Sequence, residues 1–460
     1  MKEVIALVPG LIAAWFAFRK SAQAAFLNAY LPALILLPDY YYWNAPGLPD
    51  PSFVEAAIIP VAIAFFLRDA ARWRFSATDV LVSAFAFCVG YSEYLNAGYK
   101  EAQNLLFDCV SGVFLPYVLA KGLIEPQRLR ADVAKRMVLL FFLVGVGSAY
   151  EFRFGRNPYR DVFDSFFPGQ GRGWVVSIRW GFGRIAGPYG HAILAGVMLA
   201  AGFRLARWTQ WADLWPKRLR RLPWQPISPG AALSLGTLAG LVMTLCRGPW
   251  LGAILAAVIT SIGRARNRWR ALTLVVGGVV LIGGPAVLAF KSYVAVGRKG
   301  AESATQETAA YRFELLQNYL EIVSQKPVFG WGRNTWPKVP GQPSIDNHYL
   351  LLLLMHGYSA TLLLLSLLLW VGGRLFLHGM REPPAQPPGS SFTFTLLGIL
   401  CAIYLAIATV FMGLNTQPLL FVMLGWAEGY LLVGSGYQLG AATVPPVAPP
   451  PPFRFKRVLT

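Results

Sequence analysis

Apolar runs of about 15 to 25 residues follow one another along most of the chain, each long enough to cross roughly 30 Å of hydrocarbon as a helix. They cover residues 4–18, 22–38, 53–67, 79–96, 103–123, 136–150, 189–205, 231–246, 249–263, 271–290, 347–371, 392–412 and 417–434. Two long polar stretches, 151–188 and 291–346, interrupt the series. In the second, Phe313, Leu316, Leu320 and Val323 recur at helical spacing and predict an amphipathic helix lying on a membrane or on the bundle, with Arg312 at the edge of its apolar stripe. The pattern predicts an all-α, polytopic membrane bundle of about 12–13 transmembrane helices, a single domain over residues 1–440, then a Pro-rich tail, 441–460. The first run is not read as a removable signal, because Arg19 and Lys20 follow it rather than precede it.

Composition agrees: 55% hydrophobic and 14% charged residues exclude a single soluble core. A net charge of +19 in a chain of spans raises first the question of which side the cations occupy. With the connection Arg68–Arg74 inside, 25 of the 41 Lys and Arg fall inside and 16 outside, which puts the N-terminus outside and the tail inside. Trp208, Trp211, Trp215 and Trp224, interleaved with Arg204, Arg207, Lys217, Arg218, Arg220 and Arg221, read as an inner segment against anionic headgroups, not as a nucleic-acid surface. The four cysteines have neither disulfide nor metal spacing. Gly169-Gln170-Gly171-Arg172-Gly173 and Gly181-Phe182-Gly183 do not join a strand to a helix, so they read as tight turns of the outer loop and not as a phosphate loop.

Four places on the outer side stand out. Arg184 precedes a Gly187-Pro188 break that leads to Tyr189-Gly190-His191; Arg247 sits in the tight turn Cys246-Arg247-Gly248-Pro249; Arg312 lies on the amphipathic helix. Asp346-Asn347-His348 caps the Leu-rich span at 347–371, a helix N-terminus favourable to anions. Planar guanidinium forks without a carboxylate cluster describe a site for a phosphate ester, and no metal or cofactor is expected there. His348 has the residue type to take a proton from an attacking hydroxyl at neutral pH; a helix cap or a hydrogen bond to the loop accounts for it equally well. His191 and His356, further into apolar runs, read as packing or polar-contact residues.

At these residues the chain resembles the O-antigen ligase and polysaccharide polymerase superfamily of bacterial membrane proteins. The likeness is carried by Arg184-Ile-Ala-Gly-Pro-Tyr-Gly-His191, Arg247-Gly-Pro-Trp-Leu-Gly252, Tyr311-Arg312 leading to Pro327-Val-Phe-Gly-Trp-Gly332, and Asp346-Asn-His-Tyr-Leu350 followed by His356-Gly357, over roughly residues 180–375. The resemblance implies an integral-membrane glycosyltransferase of the bacterial inner membrane. Its implied donor is an undecaprenyl-diphosphate-linked oligosaccharide, its acceptor a glycan hydroxyl on the periplasmic face, and its partners other polysaccharide assembly proteins. It implies that Arg247 and Arg312, with Arg184, hold the diphosphate, and that His348 activates the acceptor with Asp346 as orienter or substitute. His191 and Tyr349, within the same motifs, are expected at the substrate. Cys246 stands where a serine usually precedes the Arg-Gly pair, and Tyr358-Ser359 departs from the usual continuation after Gly357. The Arg-Gly-Pro-Trp and Asp-Asn-His-Tyr forms favour an exopolysaccharide polymerase over a ligase acting on a lipid A core. A small-anion transporter is the competing reading, and it would want its polar groups near mid-bilayer.

Overall fold

The computed structural model describes residues 2–38, 40–44, 49–170, 176–218, 226–342, 344–383 and 391–433; the Pro-rich tail, Arg172, Arg220, Arg221 and Trp224 lie outside them. Each apolar run of the sequence coincides with a helix. After a 3-10 segment at Lys2–Leu7 come α1 (Val8–Arg19), α2 (Ala22–Leu36), α3 (Phe53–Arg68), α4 (Ala77–Ala97), α5 (Tyr99–Leu123) and α6 (Arg130–Phe154). The first long polar stretch contains a short helix, α7 (Pro158–Phe163), and a hairpin of β1 (Ile178–Arg179) and β2 (Phe182–Gly183), paired antiparallel. Then follow α8 (Ala192–Trp211), α9 (Pro229–Met243), α10 (Arg247–Arg264), α11 (Arg268–Ala295), α12 (Ala304–Gln325), α13 (His348–Arg381), α14 (Phe392–Ile407) and α15 (Thr416–Val433). Seven of these, α4, α5, α6, α8, α11, α13 and α15, are long and apolar enough to cross a membrane, and α2, α9 and α14 are shorter apolar helices. The chain is an all-α polytopic membrane protein.

Local chemistry explains the irregularities. α2 and α5 each contain one π turn, Phe26–Tyr30 and Val110–Phe114, and each turn comes just before a proline, Pro32 or Pro116. A proline cannot donate to the carbonyl four residues back, and the ladder slips to a five-residue bond instead, Leu31 N–H to Phe26 O and Leu115 N–H to Val110 O. α8 lies at the centre, against α6, α9, α10 and α14. Its small residues allow that: a Cβ on Gly196 would lie 2.6 Å from Pro249, and one on Gly202 would lie 2.5 Å from the Phe141 ring. α8 continues to Trp211 and thereby buries Trp208 against Phe392, ring centroids 4.5 Å apart. Trp208 is therefore a core residue and not part of an interfacial stripe. Trp211 has the guanidinium groups of Arg204, Arg207 and Arg264 within 4.9, 4.6 and 4.3 Å of its ring.

Ion pairs tie helix ends at one end of the bundle: Lys121 to Asp79 (2.5 Å) and Arg130 to Glu125 (2.6 Å), both buried, and the partly exposed Arg374 to buried Glu428 (2.6 Å). α11 differs from the other candidate spans, because its apolar body is not buried; its main helix neighbours are α10 and α12, and Arg268 at its start reaches Gly379 O of α13. α12 is amphipathic, but its packed face is not the stripe read from the sequence. Leu315, Tyr319 and Val323 are buried against Ile345, Leu350 and Leu354, while Phe313, Leu316 and Leu320 remain exposed. In a membrane protein both faces of a helix can be apolar, one toward protein and one toward lipid.

Candidate functional site

Five elements meet around one cavity of about 580 Å³. The hairpin supplies Arg179 and Trp180, followed by Arg184; the first turn of α10 supplies Arg247 and Gly248; α11 closes one side with Phe290 and Tyr293; the loop after α14 adds Thr409. α12 contributes Thr305, Thr308, Ala309 and Arg312, whose three- and four-residue spacing puts them on one helical face. The charged groups among these lining residues are four arginines.

Two of the arginines are structural clamps as well as charges. Arg184 donates from Nη2 to Cys246 Sγ (2.8 Å), from Nη1 to Ser177 Oγ (3.3 Å) and from Nε to Thr244 O (3.4 Å). Arg179 donates from Nη1 to Leu245 O (2.6 Å). The connection 244–246, where Leu245 has φ 51°, is thus gripped from the hairpin, and α10 begins at a fixed place. Burial, and then the like charges of Arg184 and Arg247, hold the Arg179 guanidinium below its ordinary pKa, so this group gains when an anion arrives. Arg247 and Arg312 are exposed to the cavity and make no hydrogen bond or ion pair with the described residues. Gly248 is required by the close approach of Thr409: a Cβ there would lie 2.5 Å from Thr409 Oγ1.

His191 caps α8, its Nδ1 accepting from Ile193 N–H (3.2 Å), and Ile193 also lines the cavity. Burial and the charge of Arg184 lower the pKa of His191, and the charge of Asp346 opposes them. Asp346 accepts from Ser344 Oγ (3.0 Å), and Tyr311, next to Arg312, donates to Ser344 O (3.2 Å). Asp346 is therefore held beside the turn of α12 that bears Arg312. Tyr349 donates to Tyr404 O (3.1 Å), which ties α13 to α14.

The structure does not bring His348 into the arginine cavity. Its Nδ1 accepts from Met412 N–H (3.3 Å), and the ring lines a separate cavity of about 190 Å³ together with Asp108, Arg333, His356 and Gln417. With Nδ1 occupied as an acceptor, the neutral ring carries its proton on Nε2 and has no free lone pair for an incoming hydroxyl. His348 does hold the loop that brings Thr409 to Gly248. His356 is a buried contact residue, its Nδ1 3.1 Å from Ser92 Oγ.

The remaining motif residues build the support. α13 breaks at Gly357 (φ 69°, ψ −170°), and the loop 327–332 docks into the break. Trp331 and Gly332 donate to Leu354 O and Met355 O (both 2.8 Å), while Tyr358 donates to Pro327 O (2.7 Å). A Cβ on Gly330 or Gly357 would lie 2.6 or 2.3 Å from the backbone of the other segment. The next residue, Arg333, pairs with Asp108 (3.1 Å), Glu93 (3.7 Å) and Glu101 (3.7 Å), which locks the loop to α4 and α5. Sequence reasoning missed Arg179, Trp180 and Thr409; the signal for the first two was their place next to Gly181-Phe182-Gly183 in a loop already rich in cations.

A larger hollow, about 870 Å³, lies at the other end of the bundle, with Asp69, Arg74, Lys121, Glu125 and Arg128 of mixed sign around it. α15 starts beside the Thr409 loop and ends at Val433 in that hollow, and its 18 residues separate the two by about 27 Å. Residues 232–365 match the family model described as O-antigen ligase, a window that includes Arg247, Arg312, Asp346, His348 and Tyr349 but not Arg179, Arg184 or His191. No curated protein matches the chain.

Proposed function

We propose that the chain, whose residues 232–365 match the O-antigen ligase family model, is a membrane glycosyltransferase that polymerises oligosaccharide repeats carried on a polyprenyl diphosphate. The work is done at the periplasmic face of a bacterial inner membrane. The observation that carries this reading is the cavity in which Arg247 and Arg312 stand without partners beside Arg179 and Arg184. Four guanidinium groups suit a diphosphate, which they bind through paired N–H donors. Phe290 and Tyr293 join the cavity to α11, whose lipid-exposed flank gives a polyprenyl tail a path into the bilayer.

In the reaction the acceptor oxygen bonds to the anomeric carbon of the donor as the bond from that carbon to the diphosphate oxygen breaks. The electron pair leaves with the lipid diphosphate, where the arginines stabilise the growing charge; each such donor is worth about 100- to 1,000-fold in rate. The acceptor proton goes to Asp346, a carboxylate that does not line the cavity but is held through Ser344 and Tyr311 near the turn of α12 that bears Arg312. His348 acts as a positioning residue through Met412. The arginines take the place that a divalent ion fills in other glycosyl transfers, so no metal is required.

Purified protein in lipid nanodiscs, given a lipid-diphosphate-linked oligosaccharide, is expected to build longer lipid-linked chains equally well with and without chelator. Transfer only to a lipid A core would make it the ligase, loss of transfer with chelator would remove metal independence, and absence of transfer to either acceptor would overturn the proposal.

A further inference from the structure

The β1–β2 hairpin turns through Trp180 (φ 54°) and Gly181 (φ 81°), between the paired residues Arg179 and Phe182. Two positive φ values in a two-residue connection make a turn that selects Asn, Asp or Gly at its first position, because a bulky side chain is strained there. Tryptophan occupies it here, and the residue is 65% exposed, so core packing does not account for it. The ring lines the arginine cavity, and the Arg179 guanidinium lies 6.0 Å from its centroid. Arg179 is bonded to Leu245 O, which fixes the hairpin to the start of α10 and Trp180 beside Arg247. A strained, exposed aromatic ring at the edge of an anion cavity is a recognition element in search of a flat partner.

We propose that Trp180 is the stacking platform for the sugar joined directly to the donor diphosphate. The inference rests on the diphosphate reading of the arginine cavity and adds to it the group that reads the glycan. A pyranose presents a face of C–H bonds with partial positive charge, complementary to the negative face of an indole. The first sugar is bonded to the phosphate that the arginines hold, so its ring must lie within one ring's width of them, where Trp180 stands. Trp180 thereby separates a glycan-bearing donor from the bare lipid diphosphate that remains after transfer.

The test titrates nanodisc-embedded protein with two ligands, a lipid diphosphate without sugar and the same lipid bearing an oligosaccharide. Trp180→Asn suits the turn and removes the ring. It is expected to melt at or above the wild-type temperature, to bind the sugar-free lipid as wild type does, and to lose about tenfold in affinity for the glycan donor, the size of one aromatic stacking contact. Trp180→Phe should recover most of that loss. Equal losses for both ligands, as when the ring enters the lipid surface, or no loss for either would overturn the assignment. Wild-type protein that binds neither ligand would instead remove the diphosphate reading beneath it.

Discussion

A guanidinium group that faces a cavity without a partner keeps its charge available to a ligand, and Arg247 and Arg312 are both in that position. Arg184 and Arg179 spend part of theirs on Cys246, Thr244 and Leu245, so they shape the site as well as charge it. The proposed function gives Asp346 and His348 different roles. Asp346→Asn is expected to lower turnover about 100-fold or more with donor binding unchanged, as loss of a general base does, measured as kcat against KM. His348→Asn, which can still accept from Met412 N–H, is expected to keep most of its turnover; the reverse ranking would return the base role to His348. His191 gives a pH signature. Its pKa is lowered in the folded protein, first by burial, so the unfolded chain binds more protons and stability is lost as pH falls below the ordinary histidine value of about 6.5. His191→Asn keeps a cap acceptor without the titration, and its melting temperature should fall less between pH 7 and pH 5 than that of wild type. Arg184 and Arg247 were legible because each stands in a short motif at the mouth of a span, and Arg312 because it edges an apolar stripe of helical spacing. Arg179 was not, since its value comes from a hairpin pairing and a contact with Leu245, 66 residues away. The side of α13 on which His348 falls was equally hidden, because it is fixed by the loop at Met412.

Among the elements, the broken helix α13 explains why two glycines far apart in sequence belong together. Gly357 has backbone angles open essentially to glycine alone, and Val328 O occupies the space a Cβ would need. Gly357→Ala is expected to cost at least about 3 kcal/mol of stability, or to prevent insertion, as read by thermal denaturation of the purified protein. Wild-type melting behaviour in that variant would show that the clamp is dispensable. The helices themselves were legible, because the length of apolar runs is set by bilayer thickness, although α13 runs ten residues past its apolar stretch and α6 starts six residues before its own. The packed face of α12 was not. Phe313, Leu316 and Leu320 are as apolar as Leu315, Tyr319 and Val323, and only the segment 339–345 with α13 decides which set is covered.

On the scale of the whole molecule, two ends of one bundle do different work. One end is joined by the ion pairs of Lys121, Arg130 and Arg374, where removing one partner strands a buried carboxylate without solvent. Arg130→Met leaves Glu125, only 2% exposed, with Trp426 alone as a donor outside its own helix turn, and is expected to destabilise by about 3–5 kcal/mol, measured by denaturation in detergent. At the other end Arg247 and Arg312 make no ion pair with the described residues, and the proposed function assigns their charge to a ligand at the surface of the bilayer. The most direct measurement of that claim is the binding of a sugar-free polyprenyl diphosphate to wild type, Arg247→Gln, Arg312→Gln and the double variant. Convergence on one ligand predicts at least tenfold weaker binding for each single variant, and a double variant whose loss differs from the sum of the two. Affinities that stay at the wild-type value, or losses that simply add, would mean that these arginines do not share a diphosphate.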